Sequence, residues 1–298
     1  MTTDKVYRPR TIKRQRRTNA AIDKLDEQIL DVLREDHPQS VRHVFYRMTD
    51  PRLAEPVEKS ERGYRHVQDR IKKLRRARRL PYGWIADATR RGYHTDTFAG
   101  PADFLRRVAS LYRADLWAQA LFYVEVWCES RSIAGVIQDT CEELAVSLYP
   151  AGGFTSITLA YEAAQTINWR CEDGRDCVIL YIGDYDPAGV LIDQSIEKEL
   201  REHLDPGVKM HFFRLAITER QIIEYDLPTK PRKATDRRAQ HIQETVEAEA
   251  MPAHILRDLL RQNIETFIPD GALAAVQVAE QSEREQIERM AEMLGGRA

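Results

Sequence analysis

The sequence has no apolar run long enough to cross a membrane. A membrane-spanning helix needs about 20 consecutive apolar residues, and no stretch of these 298 residues approaches that length. The basic start of the chain also leads into no hydrophobic segment of the kind that signal peptides carry. From these absences we expect a cytoplasmic protein.

Cysteine is also scarce. The chain has four cysteines, which form no CxxC pair and have no histidine at zinc-finger spacing. This pattern excludes a zinc-finger module and predicts reduced thiols in the core. The four residues are Cys128, Cys141, Cys171 and Cys177.

A GxxxxGK[ST] phosphate-binding loop is absent too, and the chain shows no internal repeat or low-complexity segment. What is present is the composition of a folded protein, with 43% hydrophobic and 31% charged residues. At this length the chain can form two domains, each with its own core.

The two halves of the chain carry opposite charge. Residues 1–115 sum to a formal charge of +11, and because the whole chain carries −2, residues 116–298 sum to −13. A basic region attracts the phosphates of nucleic acids, whereas an acidic region repels them unless cations neutralise its carboxylates. The division predicts a DNA-gripping region joined to a metal-binding one.

Hydrophobic periodicity divides the chain into three parts. Residues 1–19 are basic without apolar periodicity and predict a flexible arm. Residues 20–117 predict three helices, a turn and a short β-prone stretch, which is the pattern of a winged helix-turn-helix domain. Residues 118–298 predict alternating strands and helices with a C-terminal helical extension, which is typical of an α/β fold with a mostly parallel sheet flanked by helices.

The third predicted helix, at about 60–80, is strongly basic. Nine positive residues lie between Arg62 and Arg79, with Asp69 as the single acid. Most charge runs are solvated faces, but this one lacks the alternating signs that would neutralise it, and we favour contact with DNA phosphates. The predicted DNA-binding residues are Lys72, Lys73, Arg75, Arg76 and Arg79. A second basic segment, Lys230 to Arg238, has two equally good interpretations, which are additional contacts with DNA and an ordinary solvated loop.

Carboxylates follow two predicted strands of the second half. Asp184 and Asp186 come directly after an apolar strand, and Glu129 follows the predicted strand 121–128. Residues two apart in an extended segment point to the same side, and ligands of open parallel sheets bind at the carboxyl ends of strands. We predict that Glu129, Asp184 and Asp186 hold Mg²⁺, which prefers hard oxygen ligands. The alternatives are that these residues only cap helices and turns, and that Glu125, inside the strand, replaces Glu129.

A tyrosine on the second predicted helix, at about 41–49, follows an arginine by four residues. At about 100° per residue, Arg42 and Tyr46 share the polar face of this helix, which predicts that Tyr46 is not needed for the core. Such a tyrosine can attack a phosphodiester while the guanidinium holds the phosphate and favours the phenolate. An ordinary surface tyrosine fits the motif equally well.

The metal motif resembles that of a known domain. Val126-Trp-Cys-Glu129-Ser-Arg-Ser, followed by Asp184-Tyr-Asp186-Pro-Ala-Gly189, is similar to the Toprim domain of topoisomerases, primases and related nucleases. In that domain one glutamate and an Asp-x-Asp pair hold Mg²⁺. The resemblance covers roughly residues 120–220.

The tyrosine motif resembles that of a family with the same domain order. Arg42-His-Val-Phe-Tyr46 is similar to the catalytic-tyrosine motif of the topoisomerase VI A subunit and its meiotic double-strand-break relatives, which place a winged helix before a Toprim domain. In its short length the chain resembles the stand-alone "Mini-A" proteins of mobile elements. His43 stands where the family usually has an acid, and Ser130 where a lysine often follows the glutamate.

The resemblance implies a homodimeric type IIB topoisomerase-like enzyme that cleaves double-stranded DNA. Tyr46 would form a 5′-phosphotyrosyl link while Mg²⁺ stabilises the developing charge. In the family the tyrosine of one protomer works against the metal site of the other, and ATP-driven strand passage would need a separate ATPase B-type subunit. Two alternatives stay open, a Toprim nuclease that activates water and a non-catalytic DNA-binding protein.

Overall fold

A computed structural model of the chain describes residues 17–86, 95–153, 155–232, 238–239 and 241–295. Most of the predicted basic arm, residues 1–16, therefore lies outside the described residues.

Three helices open the described part of the chain. They are α1 (Asn19–Glu35), α2 (Val41–Met48) and α3 (Glu61–Arg76). Each begins where a side-chain oxygen, of Thr18, Ser40 or Ser60, accepts a backbone amide of the first turn. The three predicted helices are confirmed, although α3 ends earlier than predicted, with Arg78 turning the chain at a φ of 56°.

No β ribbon follows α3 within the described ranges. Tyr82–Trp84 form a 3₁₀ turn, and Ile85 makes a single parallel bridge to Gln39. Residues 87–94 are not described, and α4 (Pro101–Ala109) comes next. The wing, and with it the winged-helix assignment, stays a prediction.

The second half of the chain contains a four-stranded parallel sheet. Its strands are β1 (Phe122–Cys128), β2 (Ser147–Pro150), β3 (Asp176–Ile182) and β4 (Met210–Ala216), in the order β2-β1-β3-β4. The connecting helices are α5 (Arg131–Glu143), α6 (Ile157–Arg170) and α7 (Gly189–His203). The predicted α/β class with a parallel sheet flanked by helices is confirmed.

The elements after β4 pack on helices of both the N-terminal part and the sheet-containing part of the chain. They are α8 (Glu219–Glu224), a ribbon of β5 (Lys230–Pro231) and β6 (Glu244–Thr245), a 3₁₀ turn (Ala248–Ala250), α9 (Ala253–Glu265) and α10 (Ala272–Gly295). Helix α9 packs on α5 and β4, and α10 packs on α4. None of the helices that the structure describes has the length and apolar character needed to cross a bilayer.

The central strands are buried on both faces, as parallel strands between two helical layers are. Trp127, Ile179 and Tyr181 face a core with α6 and α7. Val126 and Leu180 face the opposite core, which also includes residues of α5, α9 and the N-terminal helices. All four cysteines are buried and unpaired, as predicted.

Candidate active site

The carboxyl ends of β1 and β3 bring the predicted metal ligands to one edge of the sheet. In the parallel register Cys128 lies opposite Ile182, so both strands end level with each other. Glu129 follows Cys128, and its carboxylate Oε2 accepts a hydrogen bond from the backbone N–H of Asp184 at 3.0 Å. The sequence prediction that these two residues lie together is confirmed.

Asp184 and Asp186 are engaged in different contacts. Asp184 Oδ1 accepts from the backbone N–H of Ala248 at 2.8 Å. Asp186 Oδ1 accepts from the N–H groups of Ala188 and Gly189 at 2.8 and 2.6 Å, where α7 begins. Within the described ranges, no three carboxylate, histidine or cysteine side chains lie close enough together to form a complete metal site.

The electrostatics of this edge are those of crowded carboxylates. Burial raises the pKa of Asp184 well above its usual value, and the charges of Glu129 and Glu249 raise it further. Burial likewise raises the pKa of Glu129, with a contribution from Asp186 and opposition from the Asp184 amide. A divalent cation relieves such repulsion, and oxygen donors are what Mg²⁺ prefers. The donor set therefore fits the predicted cation.

Arg214 on β4 holds the turn that carries Asp184. Its guanidinium donates to the carbonyl oxygens of Gly183, Asp184 and Gly189 at 3.1, 3.2 and 2.8 Å. Its Nε pairs with Asp193 at 2.7 Å. The guanidinium of Arg214 thus connects the end of β3 to the start of α7, a role that no pattern in the sequence predicts.

Gly189 is required by the same close approach. A Cβ at position 189 would lie 2.1 Å from the carbonyl oxygen of Asp184, which is far inside van der Waals contact. Any larger residue would push the Asp184 backbone away from its position.

A further carboxylate, that of Glu249, which no pattern in the sequence predicts, reaches this edge from a segment after β4. Val246 exchanges backbone hydrogen bonds of 2.8 and 2.9 Å with Tyr185, which lies between the two aspartates. This pairing places Glu249 against Ser130 and Ser132, whose hydroxyls donate to its carboxylate. Glu249 is therefore an additional candidate ligand, and Ser130 also caps α5.

Tyr46 is buried, and the prediction that it lies on a polar face outside the core is wrong. Its side chain is 6% exposed and belongs to the hydrophobic core. The physical reason is that the 3₁₀ turn Ala248–Ala250 and the preceding Glu247 pack on α2 and cover the face that carries Arg42 and Tyr46. Helical periodicity cannot reveal a cover that comes from so distant a segment.

Three cations surround Tyr46. Lys59 Nζ and Lys230 Nζ lie 5.8 and 5.7 Å from the centroid of its ring. Arg42, one turn earlier on α2, donates from Nη1 to Glu247 Oε2 at 2.5 Å. Lys230 Nζ donates to the other oxygen, Oε1, at 2.6 Å. Glu247 therefore bridges Arg42 and Lys230 next to the tyrosine.

In the described conformation, the surroundings of Tyr46 favour its neutral hydroxyl over the phenolate. Burial raises the pKa of Tyr46 far above its usual value, and Glu247 raises it further by charge and hydrogen bonding. Arg42 lowers the pKa of Tyr46, as predicted, but is outweighed. For Glu247 itself burial favours the protonated form, yet hydrogen bonds from Lys230 and Arg42 leave its pKa below the usual value. Tyr46 is thus neutral and Glu247 ionised at pH 7.

The predicted DNA-binding residues of α3 fall into two groups. Lys72, Lys73 and Arg76 are exposed on the helix. Arg75 donates to the Tyr82 carbonyl at 2.6 Å, and Arg79 pairs with Glu27 at 2.5 Å. Two of the five predicted residues therefore also stabilise the N-terminal helices.

The second basic segment has one member in the tyrosine cluster. Lys230 lies in β5 and binds Glu247, so it is not part of a solvated loop. Lys233 and Arg237, from the same predicted segment, lie outside the described residues.

A scan against protein-family models found none that matches the chain, and searches of curated proteins and of solved structures also returned no match.

Proposed function

We propose that the protein is a type IIB topoisomerase-like enzyme that cleaves double-stranded DNA by transesterification to Tyr46. The observation that supports the proposal is that α2, which carries Arg42 and Tyr46, and Asp184 at the carboxyl end of β3 are both in contact with one short segment of the chain. Segment 246–249 joins the two parts, since it contacts α2 on one side and Asp184 on the other.

Mg²⁺ in this proposal would be held by Glu129 and Asp184, with Asp186 and Glu249 beside them. When bound, the ion withdraws negative charge from the phosphodiester under attack. Arg214 fixes the backbone of Asp184 and keeps the ligands at the sheet edge.

Tyr46 supplies the nucleophile. After water takes the proton of the hydroxyl, the phenolate oxygen bonds to a backbone phosphorus and the bond from phosphorus to the 3′ oxygen breaks. The 3′ oxygen takes up a proton and leaves as a hydroxyl, and the 5′ end stays linked to the tyrosine. Arg42 holds the phosphate through its guanidinium.

Two active sites are needed to cut both strands, and we propose a homodimer in which each tyrosine works against the partner's metal site. ATP-driven strand passage would add a separate ATPase B-type subunit. The exposed basic residues Lys72, Lys73 and Arg76 would contact the duplex next to the site.

The deciding experiment traps the covalent link. Supercoiled plasmid, Mg²⁺ and a denaturing quench should leave the parent protein attached to 5′ ends of broken DNA. Tyr46→Phe removes only the hydroxyl and should give no attachment. The control Tyr161→Phe, on the exposed surface of α6, should attach like the parent. Asp184→Asn, whose amide oxygen can still accept from Ala248, should also lose attachment because a metal-binding charge is missing.

A second candidate is a Toprim-type nuclease that uses water. The burial of Tyr46 favours it, because in this conformation the carboxylate edge is more accessible than the tyrosine. Free DNA ends from both the parent and Tyr46→Phe, formed at equal rates and only with Mg²⁺, would establish this function instead.

A further inference from the structure

The carboxylate of Glu247 lies where an anionic ligand of Arg42 and Lys230 would bind. Each of its oxygens accepts from a different cation, Oε2 from Arg42 at 2.5 Å and Oε1 from Lys230 at 2.6 Å. Carboxylate and phosphate oxygens present the same acceptors to guanidinium and ammonium groups. The contacts that Glu247 makes are therefore contacts that a phosphodiester can take over.

Positive charge in this cluster exceeds what Glu247 neutralises. Lys59 and Lys230 both lie within 6 Å of the Tyr46 ring centroid, and Lys59 donates to the carbonyl of Thr229 rather than to a carboxylate. Glu247 is the carboxylate that contacts Arg42 and Lys230 directly, whereas Glu249 and Glu244 act on Arg42 and Lys59 through charge. The surroundings are partly shielded from water, since the Arg42 and Glu247 side chains are 32% and 25% exposed. Such a cluster attracts a further anion more strongly than the same charges in open solvent.

Glu247 also covers the tyrosine. Tyr46 is 6% exposed in the described conformation, and Glu247 makes a hydrogen bond to its side chain, so a duplex phosphate reaches the tyrosine only when Glu247 and the turn after it move. The next residue, Ala248, donates its N–H to Asp184. Displacing Glu247 would therefore move the same segment that touches the carboxylate edge.

We propose that Glu247 is a built-in substitute for a DNA phosphate. It fills an anion site made by Arg42, Lys59 and Lys230 beside Tyr46, and an incoming phosphodiester must displace it to reach the tyrosine. The role of Tyr46 in this step rests on the proposed function, whereas the competition for the anion site rests on the three cations alone.

The test compares Glu247→Gln with Glu244→Gln in the full-length chain. Glu244 lies on the same segment, is exposed and provides the matched loss of one charge. The probe is a short fluorescent DNA duplex, and its affinity is measured without Mg²⁺ over a series of salt concentrations. Glu247→Gln should bind about fivefold more tightly than Glu244→Gln, with a log–log salt slope steeper by about one, because a freed cation pair contacts one more phosphate. Lys230→Gln added to Glu247→Gln should remove this gain.

Equal affinities for the two glutamine variants, both shown to be folded by circular dichroism, would overturn the proposal. Should Glu247→Gln fail to fold, Lys230→Gln in the otherwise natural chain decides instead. It should bind the duplex more weakly than the exposed control Lys198→Gln, and equal binding would overturn the proposal.

The same comparison in a Tyr46→Phe background separates this proposal from the proposed function. A gain from Glu247→Gln that persists there supports the anion site, even where no covalent attachment is ever found. Covalent attachment by the parent without any gain from Glu247→Gln supports the cleavage function and overturns the anion site.

Discussion

Two glutamates four residues apart illustrate how position along a strand decides the role of a carboxylate. Glu129 lies just beyond β1, at the sheet edge with Asp184. Glu125 lies inside β1 with no exposed surface, and its oxygens accept from the Tyr123 hydroxyl and the Trp127 indole at 3.0 and 2.9 Å. Because its oxygens are bound to these partners inside the buried strand, Glu125 does not take the place of Glu129 at the sheet edge.

Glu125 should make stability depend on pH. Burial raises its pKa to about 7, although hydrogen bonds from Trp127, Tyr123 and Tyr149 act against burial. A carboxyl whose pKa is raised on folding contributes full stability below its ordinary pKa near 4.5 and loses that contribution as the pH rises through 7. Glu125→Gln does not titrate, so its melting temperature relative to the parent should increase between pH 5 and pH 8.

Thermal unfolding at several pH values measures this difference. A shift of several degrees is expected, at roughly 2–4 °C per kcal/mol for a domain of about this size. Glu292→Gln, the same change on the exposed surface of α10, serves as the control. A difference between Glu125→Gln and the parent that is independent of pH, or that runs in the opposite direction, would show that the buried carboxyl keeps its ordinary titration.

At the scale of elements, helix α3 combines two tasks on different faces. Val67, Ile71 and Leu74 are buried in the core. Arg70 forms an ion pair with the buried Asp26 at 2.5 Å, so part of the positive charge of this helix stabilises the N-terminal bundle. The remaining basic face is the one that the proposed function assigns to DNA contact.

Reversing the charge of Lys72, Lys73 and Arg76 to glutamate should weaken DNA binding and flatten its salt dependence. Each lost phosphate contact reduces the log–log slope by about 0.9. Arg75 is left unchanged, because it supports the turn after α3. The control reverses Lys198, Arg220 and Arg289, which are exposed on other helices and give the same net charge. Equal loss of affinity in both triple variants, measured with a short duplex, would mean that overall charge rather than this face determines binding.

Local periodicity predicted much of the fold. The alternating strands and helices predicted for residues 118–298 are present as four parallel strands and the helices between them, because central strands show as apolar runs and helices as capped periodic segments. The β ribbon of β5 and β6, with two residues in each strand, carries too little pattern to be predicted. Helix α10, the predicted C-terminal extension, begins at Ala272, and its first turns have no charged face that would mark its start in the sequence.

The candidate site was only half predictable. Glu129 and Asp184 could be paired because each follows an apolar strand, and parallel strands end at one edge. Glu247, Glu249 and Lys230 come from a segment whose alternating acids have no fixed spacing to those strands. Their position at the site depends on the pairing of Val246 with Tyr185, which is a long-range contact that no local sequence pattern encodes.

At the scale of the whole molecule, the proposed dimer can be tested by mixing inactive chains. Tyr46→Phe keeps the metal ligands, and Asp184→Asn keeps the tyrosine. If the tyrosine of one protomer works against the partner's metal site, as proposed, the mixed dimer has one complete site and should form covalent single-strand nicks. Gel analysis of the quenched plasmid measures them.

The control mixes Tyr46→Phe with a chain that carries both Tyr46→Phe and Asp184→Asn. This mixture contains no Tyr46 and should give no nicks. If the first mixture is equally inactive although the two chains are shown to exchange, Tyr46 acts within its own chain.

The pairing of α4 with α10 has a consequence for how the chain is made. Tyr112, just after α4, donates to Glu283, and Arg284 returns a hydrogen bond to the Tyr112 carbonyl. The ribosome reaches Ala272 only 163 residues after Ala109. At about 5–20 residues per second, α4 waits on the order of 10–30 s for its partner. During synthesis the face of α4 that contacts α10 therefore stays uncovered until α10 has been made.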